Sequence, residues 1–236
     1  MPETVPMTPI AHIRSPFETK FGVPRQSGLV PELTAEIVFT PPYRNPDALR
    51  GIEGFDYLWL LWHFSAARQE GWSPTVRPPR LGGNARLGVF ATRSPFRPNP
   101  IGLSCVRLLG VSHDSRGPVL RVAGADLMDG TPIFDIKPYL PYADAHPEAA
   151  GGFTAEVPRR QLKVEIPAAL LAQIPEASRA ALTGVLAQDP RPSYQSDPSR
   201  VYGMRFAGLE VRFTVDGDRL RVEEVFPAEE MSKEKP

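Results

Sequence analysis

Twenty-eight prolines in a chain of 236 residues, where average usage gives roughly 12, constrain this sequence more than any other feature. Each proline removes a backbone donor and fixes φ, which closes helix interiors and central strand positions to it. Proline punctuates residues 1–150 throughout, so long helices are not expected there. Between the prolines lie short stretches rich in Val, Ile, Leu and aromatics: Ala35–Phe39, Leu58–Phe64, Leu87–Ala91, Leu103–Val111 and Val119–Val122. These read as strands. One short helix is expected at Pro46–Arg50, with Asn45 as N-cap and Pro46 in the first helical position. Short strands separated by Gly/Pro clusters, without intervening helices, predict a mainly β fold: an antiparallel sheet closed as a barrel, or a sandwich.

The composition changes after Gly151-Gly152. Leu162–Ile166 reads as a strand, and Ala168–Gln188 as helix interrupted at Pro175. Leu209, Val211, Phe213 and Val215 alternate with polar residues, and Asp216-Gly217 turns the chain into Leu220–Phe226, a hairpin. The expected organisation is a β-barrel-like domain over 1–152, a small α+β domain over 153–227 and a charged, frayed tail over 228–236.

Several classes fall away. No apolar run approaches the roughly 18 residues of a membrane span, and the N-terminus shows neither the basic nor the apolar region of a secretory signal. The single cysteine, Cys105, rules out a disulfide framework or a Cys-based zinc cluster and reads as an inert core thiol. His12, His63, His113 and His146 are scattered, so no metal site is expected. A cytoplasmic protein is the plain reading. No G-x-G-x-x-G loop, P-loop or G-x-S-x-G elbow occurs. The 27 basic and 27 acidic residues cancel, but residues 1–113 carry +4 and residues 114–236 carry −4. Gly71–His113 holds Arg77, Arg80, Arg86, Arg93, Arg97 and Arg107 without one lysine or carboxylate. That is an anion-binding composition, or else a solvated basic face.

Three strings make poor scaffold. Val76–Asn84 reads VRPPRLGGN, and Ala91–Gly102 reads ATRSPFRPNPIG. In the second, Pro95, Pro98 and Pro100 stiffen a loop that holds arginines, which lowers the entropy lost on gripping a ligand. The third, Asp126–Tyr142, reads DLMDGTPIFDIKPYLPY and clusters Asp126, Asp129, Asp135, Lys137 and Tyr139 among apolar residues. A carboxylate in such a setting can have the raised pKa of a general base. An Asp129–Lys137 ion pair of purely structural meaning fits equally well. Tyr57, Trp59 and Trp62 read as core or interface rather than as a platform for stacking bases.

Together with Ile13–Phe17 (IRSPF), Lys20–Gln26 (KFGVPRQ) and Asp189–Pro192 (DPRP), these strings closely resemble the TrmO family, also called TsaA or YaeB-like, from about Ile10 to about Phe226. The resemblance implies an S-adenosylmethionine-dependent tRNA methyltransferase. Its substrate would be N6-threonylcarbamoyladenosine (t6A) beside the anticodon, and its product m6t6A. It also implies a β-barrel catalytic domain and a homodimer. The family's cofactor pocket maps onto Pro24, Arg25, Gln26, Ser65, Ala66, Arg93, Leu103, Asp126, Leu127, Met128 and Asp129. This chain departs from the family in having Ser65-Ala66 where members commonly carry His-Gln, with His63 two residues earlier on the same strand face, and in having Asp56-Tyr57 where members often carry Ser-His.

N6 of a carbamoylated adenine is urea-like, so removing its proton as the methyl arrives favours transfer. Asp129 is the expected base, or the group that orients it, with Asp126 and Asp135 as alternatives and Lys137 or Tyr139 positioning the carbamoyl group. Arg25, Arg77, Arg80, Arg93 and Arg97 are expected on carboxylates and anticodon-stem phosphates, and Arg191 on RNA. Two rival readings stay open from the residues alone. One is a non-enzymatic RNA-binding regulatory protein, and the other a methyltransferase acting on a small carboxylated metabolite.

Overall fold

Period-two alternation of apolar and polar residues builds a six-stranded barrel in the first two-thirds of the chain. The computed structural model describes residues 4–67, 72–81, 85–156, 161–192, 195 and 197–228. Strands β1 (Ala11–Arg14), β2 (Thr34–Phe39), β3 (Tyr57–His63), β4 (Thr75–Val76), β5 (Leu87–Gly88), β6 (Ile101–Asp114), β7 (Gly117–Ala123) and β8 (Pro132–Pro138) come first. Six of them close in the hydrogen-bonded order β1-β2-β7-β6-β3-β8, all pairs antiparallel, with β8 returning to β1. Inward residues alternate along each strand, so Ile13, Ile37, Leu58, Leu60, Val106, Leu120, Val122 and Ile133 fill the interior. Prolines stand at the ends of β8, where the ladder needs no donor.

The remainder comprises α1 (Pro141–Asp144), α2 (Phe153–Glu156), β9 (Lys163–Glu165), α3 (Ala168–Leu171), α4 (Glu176–Ala187), β10 (Tyr202–Phe206), β11 (Leu209–Asp216) and β12 (Arg219–Pro227). β10-β11-β12-β9 form a second sheet in that order, with β9 parallel to β12. The apolar stripe of α4, Ala181, Leu182, Val185 and Leu186, joins Phe206, Val211, Phe213, Val215 and Leu220 in a second core. This core also takes residues from the connection between β1 and β2: Phe17, Val30 and Leu33 are buried in it. Phe17 meets Phe206 edge-on at 5.4 Å, and Pro16 O accepts the Ala207 N–H at 2.9 Å. No helix among the described residues is long and apolar enough to cross a membrane.

The sequence expectations fare unevenly. The Asp216-Gly217 hairpin forms, and a 3-10 turn covers Pro46–Leu49, with Asn45 accepting the Asp47 N–H at 3.0 Å. Leu87–Ala91 is a strand only at Leu87–Gly88 and then a 3-10 turn, because its partner β4 is confined between Pro74 and Pro78. Cys105 is not a core thiol: it is half-buried on the outer barrel face, where burial and nearby Asp144 raise its pKa. The tail beyond residue 228, Gly82–Asn84 and Ser193-Tyr194 lie outside the described residues.

Candidate active site at the free edge of β6

β6 outruns β7. Its pairing with β7 begins at Arg107 opposite Ala123, so among the described residues the stretch from Ile101 to Val106 pairs with one strand, β3. The Arg25–Gly28 loop covers this edge: the Ser27 hydroxyl accepts the Cys105 N–H at 3.1 Å, and the Gly28 N–H donates to Gly124 O at 2.8 Å.

Asp126 sits where this loop meets the barrel. Its Oδ1 accepts the hydroxyl of fully buried Ser104 at 2.5 Å, and the Ser104 Oγ accepts the Trp62 indole N–H at 2.9 Å. Burial pushes the carboxyl from its ordinary 3.8 up to about 6, against the opposing pull of the Ser104 hydroxyl, nearby backbone N–H groups and Arg93. The Arg93 Nη1 donates to the Gln26 Oε1 at 2.6 Å, and the Gln26 amide donates to Arg25 O at 2.5 Å. A half-buried carboxyl, a guanidinium and an amide therefore converge from three separate segments. Gly102 makes this possible, because a Cβ there would collide with the Trp62 ring.

The rest of the Asp126–Asp129 run does other work. Leu127 is buried in the barrel core, and its carbonyl accepts the Ser15 hydroxyl at 2.8 Å. The Met128 carbonyl accepts the Thr131 hydroxyl at 2.7 Å. Asp129 is exposed, and its carboxylate accepts the Ser15 N–H at 3.0 Å while its own N–H donates to Phe17 O. It lines a cleft of about 540 Å³ with Arg14, Glu18, Glu36 and Arg121, not the Asp126 cluster.

Asp135, Lys137 and Tyr139 lie on the outer barrel face. Register places Leu103, Leu61 and Asp135 in one row across β6, β3 and β8, and Cys105, Trp59 and Lys137 in the next. Lys137 pairs with Asp135 at 2.8 Å, not with Asp129. Tyr139 packs against Trp59 and Tyr57, at 6.0 and 6.2 Å between ring centroids. Leu103 shares this face, opposite to inward-pointing Ser104, so a ligand that touches both Leu103 and Asp126 must straddle the β6 edge. Ser65 and Ala66 follow the end of β3, with the Ser65 N–H turned back onto His63 O at 2.7 Å.

Among the arginines, Arg25, Arg77 and Arg93 are exposed. Arg97 donates to Thr92 O at 3.4 Å and stands 6.0 Å from the Phe90 ring centroid. The Arg80 side chain lies outside the described residues. The Arg191 side chain is 10 % exposed, and its guanidinium is held by both Asp189 oxygens at 2.8 and 2.9 Å. It borders, with Lys20, Pro24 and Arg25, a cleft of about 380 Å³ beneath the β1–β2 connection.

Two family profiles match the chain: the tRNA-methyltransferase O N-terminal domain over residues 12–145 and the TrmO C-terminal domain over residues 159–228. The chain belongs to the TrmO family. A relative from Escherichia coli K12 named tRNA (adenine(37)-N6)-methyltransferase is 44 % identical over 214 residues, covering 87 % of this chain and 91 % of that protein. One of the same name from Eikenella corrodens is 48 % identical over 179 residues, covering 74 % and 99 %. The crystal structure of TrmO from Pseudomonas aeruginosa superposes with a TM-score of 0.78 at 37 % identity, covering 96 % of this chain and 98 % of that one.

Asp126, Gln26 and Arg93 are legible in the sequence as candidates and Ser27 and Ser104 are not, while Trp62 reads there as core, where it lies. Ser104 did carry a signal. It occupies an inward position of an otherwise apolar alternating strand, and a polar side chain there needs a buried partner.

Proposed function

We propose that this chain is an S-adenosylmethionine-dependent methyltransferase. Its substrate is tRNA, it acts at N6 of t6A beside the anticodon to give m6t6A, and it works as a cytoplasmic homodimer. Family membership supports the tRNA substrate and the reaction class. The observation that carries the site assignment is the Asp126 carboxyl, tied to Ser104 and Trp62 and flanked by Gln26 and Arg93.

The donor set fits the cofactor. Arg93 and Arg25 suit a methionyl carboxylate, the Gln26 amide and the loop that covers the β6 edge suit ribose hydroxyls and adenine, and a carboxyl suits a neighbouring cation. When bound, S-adenosylmethionine supplies the electrophilic methyl group. The protein's own task is to position N6 and to receive its proton. Asp126 takes that proton in this reading, in preference to Asp129. A carboxyl pushed up to about 6 is strong enough to help and is ionised at neutral pH, whereas Asp129 is exposed and lines a different cleft, away from Gln26 and Arg93. The Ser104 hydroxyl fixes which Asp126 oxygen remains to face N6. Lys137 and Tyr139, on the Leu103 side of the edge, position the threonylcarbamoyl group. Tyr57, Leu103 and Tyr142, 44 %, 47 % and 88 % exposed on or beside the outer face, are the apolar surface for a second copy.

Labelled S-adenosylmethionine with tRNA prepared with and without t6A tests the reading, with mass analysis of the nucleosides. The expected result is one added methyl on t6A alone. Asp126→Asn is expected to lower turnover about 10²-fold or more, with Asp129→Asn much nearer the wild type. Methylation of unmodified tRNA, or full activity of the Asp126 variant, overturns the corresponding part.

A further inference from the structure

The arginine-rich stretch that leads into the proline-stiffened loop leaves Trp72 and Phe90 exposed, as the loop itself does Phe96. Trp72 is 51 % exposed and Phe90 71 % exposed, and their rings lie roughly parallel, 29° apart, with centroids separated by 6.3 Å. The Arg97 guanidinium stands 6.0 Å from the Phe90 centroid. The backbone of this segment is anchored beside them. The anchor is Val89, 1 % exposed, whose N–H donates to Pro74 O at 3.0 Å and whose carbonyl accepts the Thr92 hydroxyl at 2.9 Å. The two-residue ladder of β4 and β5 fixes Trp72 and Phe90 on the same small unit. Two large rings left open on a rigid support mark a contact surface.

Its surroundings decide what the surface contacts. From Gly71 to His113 the chain has six arginines and no acidic residue. Arg97 lies against the ring, and Arg93 is three residues beyond Phe90, at most about 11 Å of chain, with its guanidinium in the Asp126 cluster. Aromatic faces alternating with guanidinium groups are the recognition chemistry of unpaired nucleic-acid bases. The rings accept the base, and the cations accept its phosphate. An apolar protein partner would leave the arginines without counter-charges.

We propose that Trp72 and Phe90 form a stacking platform for an unstacked base of the RNA loop, one that flanks the reacting adenosine. The proposal rests on the tRNA substrate assigned above and adds the residues that hold the loop open. Stacking contributes on the order of 1–3 kcal/mol per base, and the exposed Phe90 ring can be removed without emptying a core.

The test measures tRNA affinity across a salt series for wild type, Phe90→Ala, Phe90→Tyr and Trp72→Ala, with S-adenosylmethionine affinity measured separately by calorimetry. Each alanine variant is expected to weaken tRNA binding by roughly 5- to 150-fold. Cofactor affinity and the slope of log K against log salt should stay unchanged, because no phosphate contact is lost. Phe90→Tyr, which keeps the ring, should bind as the wild type does. Arg97→Ala is the contrast, expected to reduce the slope by about 0.7–0.9. Alanine variants that bind within twofold of wild type overturn the platform and leave the tRNA reading standing. So does weaker binding with a shallower slope, which would mean that Phe90 serves only to hold Arg97. A wild-type protein with no affinity for tRNA overturns both.

Discussion

Asp126 carries two pH dependences of opposite sign. The folded protein holds the carboxyl proton more tightly than the unfolded chain does, since burial raises the pKa from 3.8 to about 6. The associated stability is therefore fully present below about pH 4 and is lost as pH rises through 6, a decline of up to about 3 kcal/mol. With Asp126 as the proposed base, methyl transfer would require the ionised form and would rise over the same interval. Denaturant unfolding from pH 4 to 7 should show the decline in the wild type and not in Asp126→Asn, whose amide does not titrate. An unchanged decline in the variant would place its origin elsewhere. The same residue shows what a sequence discloses and what it withholds. Three aspartates among apolar residues were legible as a cluster, but which one is drawn inward depends on Ser104, on strand β6, 22 positions earlier in the chain. Asp129, the expected base, is bound to Ser15, just past β1, by a contact across 114 residues. Pattern along the chain does not encode such distances.

Elements were legible where their own residues decide them. The β11–β12 hairpin rests on alternation and an Asp-Gly turn, and α4 on a proline entry followed by helix formers. Elements fixed by a partner were not. β8 read as a polar string because its outer face carries Asp135 and Lys137, and β1 is only four residues long. Gly184 in α4 shows how a partner overrides propensity. Alanine is the better helix former by about 1 kcal/mol, yet its Cβ would stand 2.7 Å from Cγ1 of buried Val30, a stiff branched side chain. Overpacking of this kind costs about 1–3 kcal/mol. Gly184→Ala is therefore expected to lower the midpoint of chemical unfolding, and a raised midpoint would show that Val30 yields freely.

At the scale of the whole molecule, the surplus of basic residues in 1–113 and of acidic residues in 114–236 gives the protein a polarity that its zero net charge conceals. A change of composition at Gly151-Gly152 leads the sequence reading to expect a boundary there, and the β1–β2 connection crosses that point. Residues of that connection fill the second core through Phe17, Val30 and Leu33, and Glu18 meets Arg205 at 3.3 Å. The chain thus ties itself as a clasp is tied, by a strap from one half buckled into the other. A protease site engineered between Gly151 and Gly152 and then cut should leave two fragments that travel as one particle in native gel filtration and part only in denaturant. Fragments that separate in native buffer would show the strap to be slack. If it holds, the peptide bond joining the halves is dispensable once folding is complete, and either half expressed alone presents a bare apolar face and should aggregate.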